Sequence, residues 1–245
     1  LDLGRLKGRP ELHFTPYLKT VYLGLVVNRP ELKDIRVRRA IAHAIDRSRF
    51  GELLQGQQEE AKSFVPRPMP GYDSKIGVRF DPVLAKALLK EAGISGASFK
   101  LTLLSQNGDK TVTVAQFLQE ELRRNLGMQV ELLPLDNRAF QAATALKTTP
   151  LFLRGWSADY PDPDNFLSVF LSDSGNNRTA WKNSKFDAVV RKGRTMSPGA
   201  KRLAEYQEAQ RILQEQETAI IPLYYEPNLT LVQKRVQGLE LTTLN

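Results

Sequence analysis

Residues Phe99–Leu153 read FKLTLLSQNGDKTVTVAQFLQEELRRNLGMQVELLPLDNRAFQAATALKTTPLFL, and this stretch decides the fold. Phe99-Lys-Leu-Thr-Leu103 alternates apolar and polar residues, which predicts a strand with Phe99, Leu101 and Leu103 on one face. Gln106-Asn-Gly-Asp109 is a turn signal. Thr111–Asn125 then carries Val114, Phe117, Leu118 and Leu122 at helical spacing, with Gly127 as its stop. Met128-Gln-Val-Glu-Leu132 alternates again as a second strand. Asp136 caps a helix bearing Phe140, Ala143 and Leu146, and Leu151-Phe-Leu153 is a third strand. Strand, helix, strand, helix, strand with loops this short implies parallel pairing through right-handed crossovers. The expected class is α/β, an open and mostly parallel sheet flanked by helices.

Upstream, Asp81-Pro82 opens a helix as cap plus first-turn proline, with Leu84, Ala87, Leu88 and Ala92 as its apolar residues and Gly93 as its end. A helix over about Ile35–Phe50 places Arg36, Arg39, His43 and Arg47 on a wet stripe, opposite Val37, Ile41, Ala44 and Ile45. Lys62–Gly77, with Pro66, Pro68 and Pro70, reads as a long irregular surface loop. Downstream, Ser184 is placed to cap a helix through Ala188, Val189 and Val190. Ser197-Pro198 starts a longer one with Leu203, Tyr206, Ile212 and Leu213. Ala219–Tyr225 is an apolar strand in which Pro222 argues for an edge or a bulge. Residues 1–20 and 228–245 lack helical periodicity.

Composition narrows the function classes. The chain has 245 residues, 41% apolar and 25% charged, the profile of a folded domain rather than a disordered or fibrous one. It has no cysteine, which removes thiol catalysis, cysteine metal clusters and disulfides. No run approaches the roughly 18 apolar residues of a membrane helix. It starts at Leu1 without a basic-then-apolar leader, so it reads as a fragment or a processed piece. The net charge is +8, concentrated in residues 1–50, where eleven Lys/Arg face five acids. Such a bias suits nucleic acid or an acidic partner. No reading motif or interleaved aromatics accompany it, so no nucleic-acid contact is expected. His13 and His43 are far apart with no acids at ligand spacing, and no metal site is expected.

In open α/β sheets ligands bind beyond the carboxyl ends of the strands. After the third strand that rule points to Gly155-Trp-Ser-Ala-Asp-Tyr-Pro-Asp-Pro163. Asp162-Pro163 repeats the cap-then-proline pattern, starting a helix with Phe166, Leu167, Val169 and Phe170, and Asp164 falls in its first turn. Asp159 has no such duty, and a carboxylate at a strand end wants a cation. The carboxylate spacing does not match a calcium loop, and Pro161 and Pro163 stiffen the backbone that would wrap the ion. A two-carboxylate glycosidase site stays open, though nothing separates an acid from a base. There is no Gly-x-Ser-x-Gly elbow, P-loop or Gly-x-Gly-x-x-Gly cradle. Binding is expected, not catalysis, and no cofactor.

Three stretches carry a family likeness: Asp34-Ile-Arg-Val-Arg-Arg-Ala-Ile-Ala-His-Ala-Ile-Asp46, Asp81–Ile94, and Gly155–Pro163. Together with the ending Ile220-Ile-Pro-Leu-Tyr-Tyr225, the chain resembles the C-terminal lobe of the oligopeptide/dipeptide-binding extracytoplasmic solute-binding proteins of ABC importers, over roughly residues 17–240. The resemblance implies one lobe of a type II periplasmic-binding-protein-like fold. Residues 1–20 would be a hinge or other-lobe segment, 21–227 the ligand-binding lobe and 228–245 the return toward the hinge. It implies a clamp that closes on a short peptide, with importer membrane subunits and the N-terminal lobe of the same protein as partners, and a periplasmic or extracellular membrane-anchored location. In peptide-binding members the Asp of the Trp-x-x-Asp pattern pairs with the ligand's α-ammonium, which here is Asp159. Backbone at Gly155, Trp156 and Ser157 would take the peptide as an added strand. Trp156, Tyr160 and Tyr225 would line the site, and Arg154 is the candidate for the ligand carboxylate. Relatives on this scaffold take metal chelates, sugars, haem or opines, and a ligand-sensing domain of a transcriptional regulator is a further alternative.

Overall fold

The computed structural model describes residues 3–6 and 8–244. In chain order it comprises α1 Leu3–Leu6, β1 Leu12–Leu25, α2 Ile35–His43, α3 Phe50–Leu53, β2 Glu59–Glu60, α4 Pro82–Glu91 and β3 Lys100–Gln106. There follow α5 Asp109–Leu126, β4 Gln129–Leu135, α6 Asn137–Leu146, β5 Leu151–Ser157, α7 Pro163–Leu167, α8 Ser184–Thr195, α9 Ala200–Arg211 and β6 Ile220–Leu231. The strands form one six-stranded sheet in the order β2-β6-β1-β5-β3-β4.

The stretch 99–153 folds as its periodicity predicts. β3 pairs in parallel with β4 along its whole length, from Lys100↔Gln129 to Gln106↔Leu135, and in parallel with β5. The chain moves outward from β3 to β4 and then returns across β3 to β5. Right-handed crossovers therefore put the two intervening helices on opposite faces. Val114, Leu118 and Leu122 of α5 join Leu101, Leu103 and Leu153 in one core. Phe140 of α6 joins Leu104 and Phe152 in the other. Gly127, at φ 71°, ends α5 in the left-handed conformation that glycine adopts without steric cost.

The other half of the sheet is antiparallel, with β1 between β5 and β6. The sheet is thus mixed, and its parallel part is the half that the alternating pattern exposes. β1 buries both faces: Val21, Leu23 and Leu25 enter the first core, and Leu18 and Tyr22 the second. A strand covered on both sides reads as an unbroken apolar run and carries no period. Gly24 lies directly under the Phe152 ring, which fills the space where a side chain would stand. In β6 the register against β1 shifts between Tyr224 and Pro222, the bulge expected of that proline.

Several helix expectations are corrected. The helix over 35–50 is interrupted at Ala44, and Asp46 caps a separate turn by accepting from Ser48 N–H. The break turns Arg47 inward to donate to Ala61 and Pro222 carbonyls at 3.4 Å, while Arg38 donates to Leu32 O at 2.9 Å. Arg47 therefore does not stay on the wet stripe expected of it, and Arg38, which was not assigned to that stripe, is buried as well; their long stems bury while carbonyls satisfy the charged heads. In α4 the buried residues are Ala85 and Leu89, with Leu84 facing outward, and Leu146 of α6 is 71% exposed. Lys62–Gly77 is irregular but not a surface loop: Phe64, Val65, Met69 and Ile76 are buried. Its polar backbone is met from below, by Thr20 Oγ1 donating to Phe64 O and Gln210 Oε1 accepting from Val65 N–H. Asn183, not Ser184, caps α8. The last helix starts at Ala200 and ends in a π-helical turn, Ile212–Gln216.

Candidate functional site

The point where α5 and α6 take opposite faces lies between the carboxyl ends of β3 and β5. There the β3–β5 ladder stops at Leu104↔Phe152, whereas the β1–β5 ladder continues to Lys19↔Ser157. From Leu153 to Ser157 the β3-side edge of β5 has no strand against it among the described residues. A cavity of about 360 Å3 occupies this gap, lined by Lys19, Gln106, Lys110, Gln141, Arg154, Gly155 and Ser157, among others. Glu226 also lines it and pairs with Lys110. Lys19 and Lys110 against Glu226 make the cavity electropositive, while alternation sends the Arg154 side chain to the face of Trp156 and Tyr22. Arg154, Gly155 and Ser157, read from sequence as site residues, are thus brought together.

Trp156 points to the opposite face from Gly155 and Ser157, as strand alternation requires. Its indole Nε1 donates to Asn165 Oδ1 at 2.9 Å. The same amide oxygen lies 3.4 Å from Asp159 N, and Asn165 Nδ2 donates to Asp159 Oδ2 at 3.3 Å. Asn165 is buried, so one amide joins Trp156 to the exposed Asp159. Tyr160 is 47% exposed, and its hydroxyl donates to Asp164 Oδ2 at 3.3 Å.

The three carboxylates of this turn sort by partner. Asp162 caps α7, accepting from Asp164 N–H at 2.9 Å, and receives both arms of the Arg202 guanidinium at 2.7 and 2.9 Å. Burial alone would raise the Asp162 pKa; the Arg202 and Asp164 donors overcome it and hold the carboxyl below its ordinary value. Asp164 pairs with Arg194 at 2.7 Å. Asp159 has no cation against it among the described residues. The capping role expected for Asp162 is present, and arginines rather than a metal ion take Asp162 and Asp164. Among the described residues no cluster of three or more His, Cys, Asp or Glu is arranged to hold a metal.

Tyr225 lies apart from the electropositive cavity. Its buried hydroxyl donates to Ser63 O at 2.7 Å and accepts from Ser63 N–H at 3.1 Å, and burial raises its pKa strongly. Its ring lines a second cavity of about 140 Å3 beside Phe14, Tyr17 and Arg67. Sequence reasoning passed over Asn165, Lys19 and Lys110. Lys110 was readable by the strand-end rule, since it opens the helix after β3. Asn165 had no local signal, because its duty is a bond across a turn, and Lys19 belongs to a strand without a period.

A sequence profile of the bacterial extracellular solute-binding proteins, family 5, middle region, matches residues 2–178. The di/tripeptide-binding protein 2 of Pseudomonas aeruginosa is 33% identical over 100% of this chain and 48% of its own length. The probable deoxycholate-binding periplasmic protein YgiS of Escherichia coli is 30% identical over 94% of this chain and 44% of its own. The structure of the murein tripeptide-binding protein MppA of Escherichia coli superposes with a TM-score of 0.87 at 26% identity, covering 95% of this chain and 47% of that one. The chain spans about half the length of these relatives.

Proposed function

The chain belongs to the bacterial extracellular solute-binding proteins of family 5, and on that premise we propose that it is one lobe of a two-lobed clamp that captures a short peptide for an ABC importer. The fold is the α/β lobe of type II periplasmic binding proteins, as in the tripeptide-binding neighbour. In this reading the peptide adds as a strand along the open edge of Leu153–Ser157, where backbone N–H and C=O groups face the cavity. Its α-ammonium pairs with Asp159. Three donors meet a carboxylate that its own chain leaves without a cation, and closure of the second lobe strengthens the pair by excluding water, at some desolvation cost. Trp156 and Tyr160 wall the amino-terminal end and Tyr225 a side-chain pocket. Arg154 is placed for a ligand carboxylate. No bond is made or broken, and no cofactor is needed.

In the same reading residues 1–20 and 228–245 lead to the second lobe. The ribbon in which Leu12–Pro16 pairs with Pro227–Leu231 supplies the hinge. The partners are then that lobe and the importer's membrane subunits, and the location is periplasmic or extracellular and membrane-anchored, in keeping with relatives named as periplasmic proteins.

The single observation behind the reading is Asp159, exposed and without a cation at the end of a strand whose outer edge is open. Calorimetry on the two-lobed protein with trialanine and N-acetyl-trialanine tests it. Losing a charge-assisted pair corresponds to about 2–5 kcal/mol, hence a weakening of at least about 30-fold on acetylation that Asp159→Asn abolishes. Equal affinity for the two peptides removes Asp159 from this role. A second reading, a non-peptide solute, draws on the 30% identity to the deoxycholate-binding relative. Mass spectrometry of the co-purified solute separates the two.

A further inference from the structure

Gln106-Asn-Gly-Asp109 is a turn signal because asparagine-glycine takes up positive φ at low cost. The fold does not use that property. Gly108 stands at φ −161° and ψ 141°, extended backbone open to any residue, as the cap before α5. A Cβ placed there would find, beyond its chain neighbours, only the Thr111 hydroxyl oxygen at 4.0 Å. Neither conformation nor space therefore demands a glycine at 108. What the pair retains is its chemistry, since a glycine nitrogen carries no side chain to block its approach to the amide before it.

Residues 107–110 are all exposed. The chain is tied on both sides of the peptide bond between 107 and 108. Asn107 N–H donates to Leu135 O at 2.7 Å, and Gly108 O accepts from Val112 N–H at 2.8 Å. The bond between them is untied: among the described residues Gly108 N–H has no acceptor and the Asn107 side-chain amide no partner. No other asparagine of the chain is followed by glycine. Asn125, Asn165, Asn177 and Asn183 moreover spend their amides on bonds within the fold.

We propose that Asn107 is a site of spontaneous deamidation, placed where its products alter the mouth of the cavity between β3 and β5. The Gly108 nitrogen attacks Cγ of Asn107 and closes a five-membered succinimide. The Asn107 side-chain nitrogen leaves as ammonia, taking the proton that Gly108 N–H gives up through solvent. Water then opens the ring. Addition at Cγ gives aspartate; addition at the main-chain carbonyl gives isoaspartate. Both products put a carboxylate between Gln106 and Lys110, two residues that line the cavity. In isoaspartate the main chain also gains one atom between two fixed hydrogen bonds, so the end of the β3–β4 ladder or the first turn of α5 must yield. Nothing in this depends on what the clamp binds.

Incubation of the two-lobed protein at neutral pH, followed by tryptic mapping, tests the proposal. Cleavage after Lys100 and Lys110 releases the segment 101–110, in which Asn107 is the single asparagine. A sample digested without incubation supplies the background, and the free synthetic peptide of that segment the reference rate. The expected result is deamidation at no less than a tenth of the reference rate, with aspartate and isoaspartate isomers both present. A slower rate, or aspartate without isoaspartate, overturns the site. Gly108→Ala should keep the urea midpoint, given the open space at that position, and deamidate at least fivefold more slowly; a smaller difference overturns the route through the Gly108 nitrogen. Hydrogen exchange then tests the effect on the fold. The amides of residues 107–112 should exchange faster in the isoaspartyl fraction, isolated by ion exchange, than in Asn107→Asp. Equal exchange overturns the claim that the added atom disturbs the ladder end or α5.

Discussion

The amide of Asn165 accepts the Trp156 indole N–H at 2.9 Å while its own N–H reaches Asp159 at 3.3 Å. One buried side chain therefore sets the direction of an aromatic wall and of the exposed carboxylate that we assign to the ligand ammonium. Asn165→Leu keeps the volume and removes both bonds. An unmade hydrogen bond of this kind is worth about 1–3 kcal/mol, hence a fall in affinity for free-amino peptides of roughly five- to a hundredfold. N-acetylated peptides, which make no use of Asp159, should change little. If calorimetry finds the same loss for both sets, Asn165 supports the fold and does not aim the carboxylate.

The bidentate contact between Arg202 and Asp162 makes the turn before α7 sensitive to acid. The Asp162 pKa is lower in the folded chain than its ordinary value of 3.8. Its contribution to stability is therefore complete above that value and disappears as pH falls through the lowered one. Thermal midpoints measured between pH 6 and pH 2 should drop more steeply for the parent than for Asp162→Asn, whose curve starts lower and runs flatter at the acid end. Parallel curves would show that Asp162 does not titrate differently in the folded state.

A methyl group at position 24 must displace the Phe152 ring, which is packed edge-on against Tyr22 at 6.2 Å between centroids. Gly24→Ala should destabilise by about 1–3 kcal/mol, the usual cost of overfilling a packed core. Urea unfolding of Gly24→Ala, Phe152→Leu and the double variant checks the cause. The smaller side chain at 152 makes room, so the double variant should lose less than the sum of the two single changes. Simple additivity would refute the clash.

Arg47→Ala removes donors from the Ala61, Val78 and Pro222 carbonyls and leaves Glu60 without that partner, although Lys62 still reaches it. Breaking a buried pair of this kind costs about 3–5 kcal/mol. Arg36 is exposed and paired locally with Asp34, so Arg36→Ala should shift the urea midpoint far less. Similar shifts for the two variants would return Arg47 to the solvent face that its spacing suggested.

That pair of arginines shows where sequence reasoning reached its limit. Arg36 and Arg47 share one stripe of a helical projection, and nothing in composition distinguishes them. The chain breaks at Ala44, and only then does Arg47 meet the carbonyls that make its burial tolerable. Lys62–Gly77 followed the same logic, since its prolines announced an irregular path and Thr20 and Gln210, distant in sequence, made an interior one possible.

By itself the sequence determined the alternation of strands and helices over residues 99–153 and the family, and it pointed to the strand end that we propose as the ligand site. Short-range period and capping chemistry carry the alternation and act within a few residues, whereas the family was read from the resemblance of the three motif stretches. Tertiary structure alone decided that β1 enters the sheet antiparallel, that β5 keeps an open edge beyond Phe152, that Asn165 ties Asp159 to Trp156, and that Arg47 turns inward. Each of these depends on groups far apart in the chain, whose approach is settled by the packing of two cores on one sheet and leaves no local pattern to read.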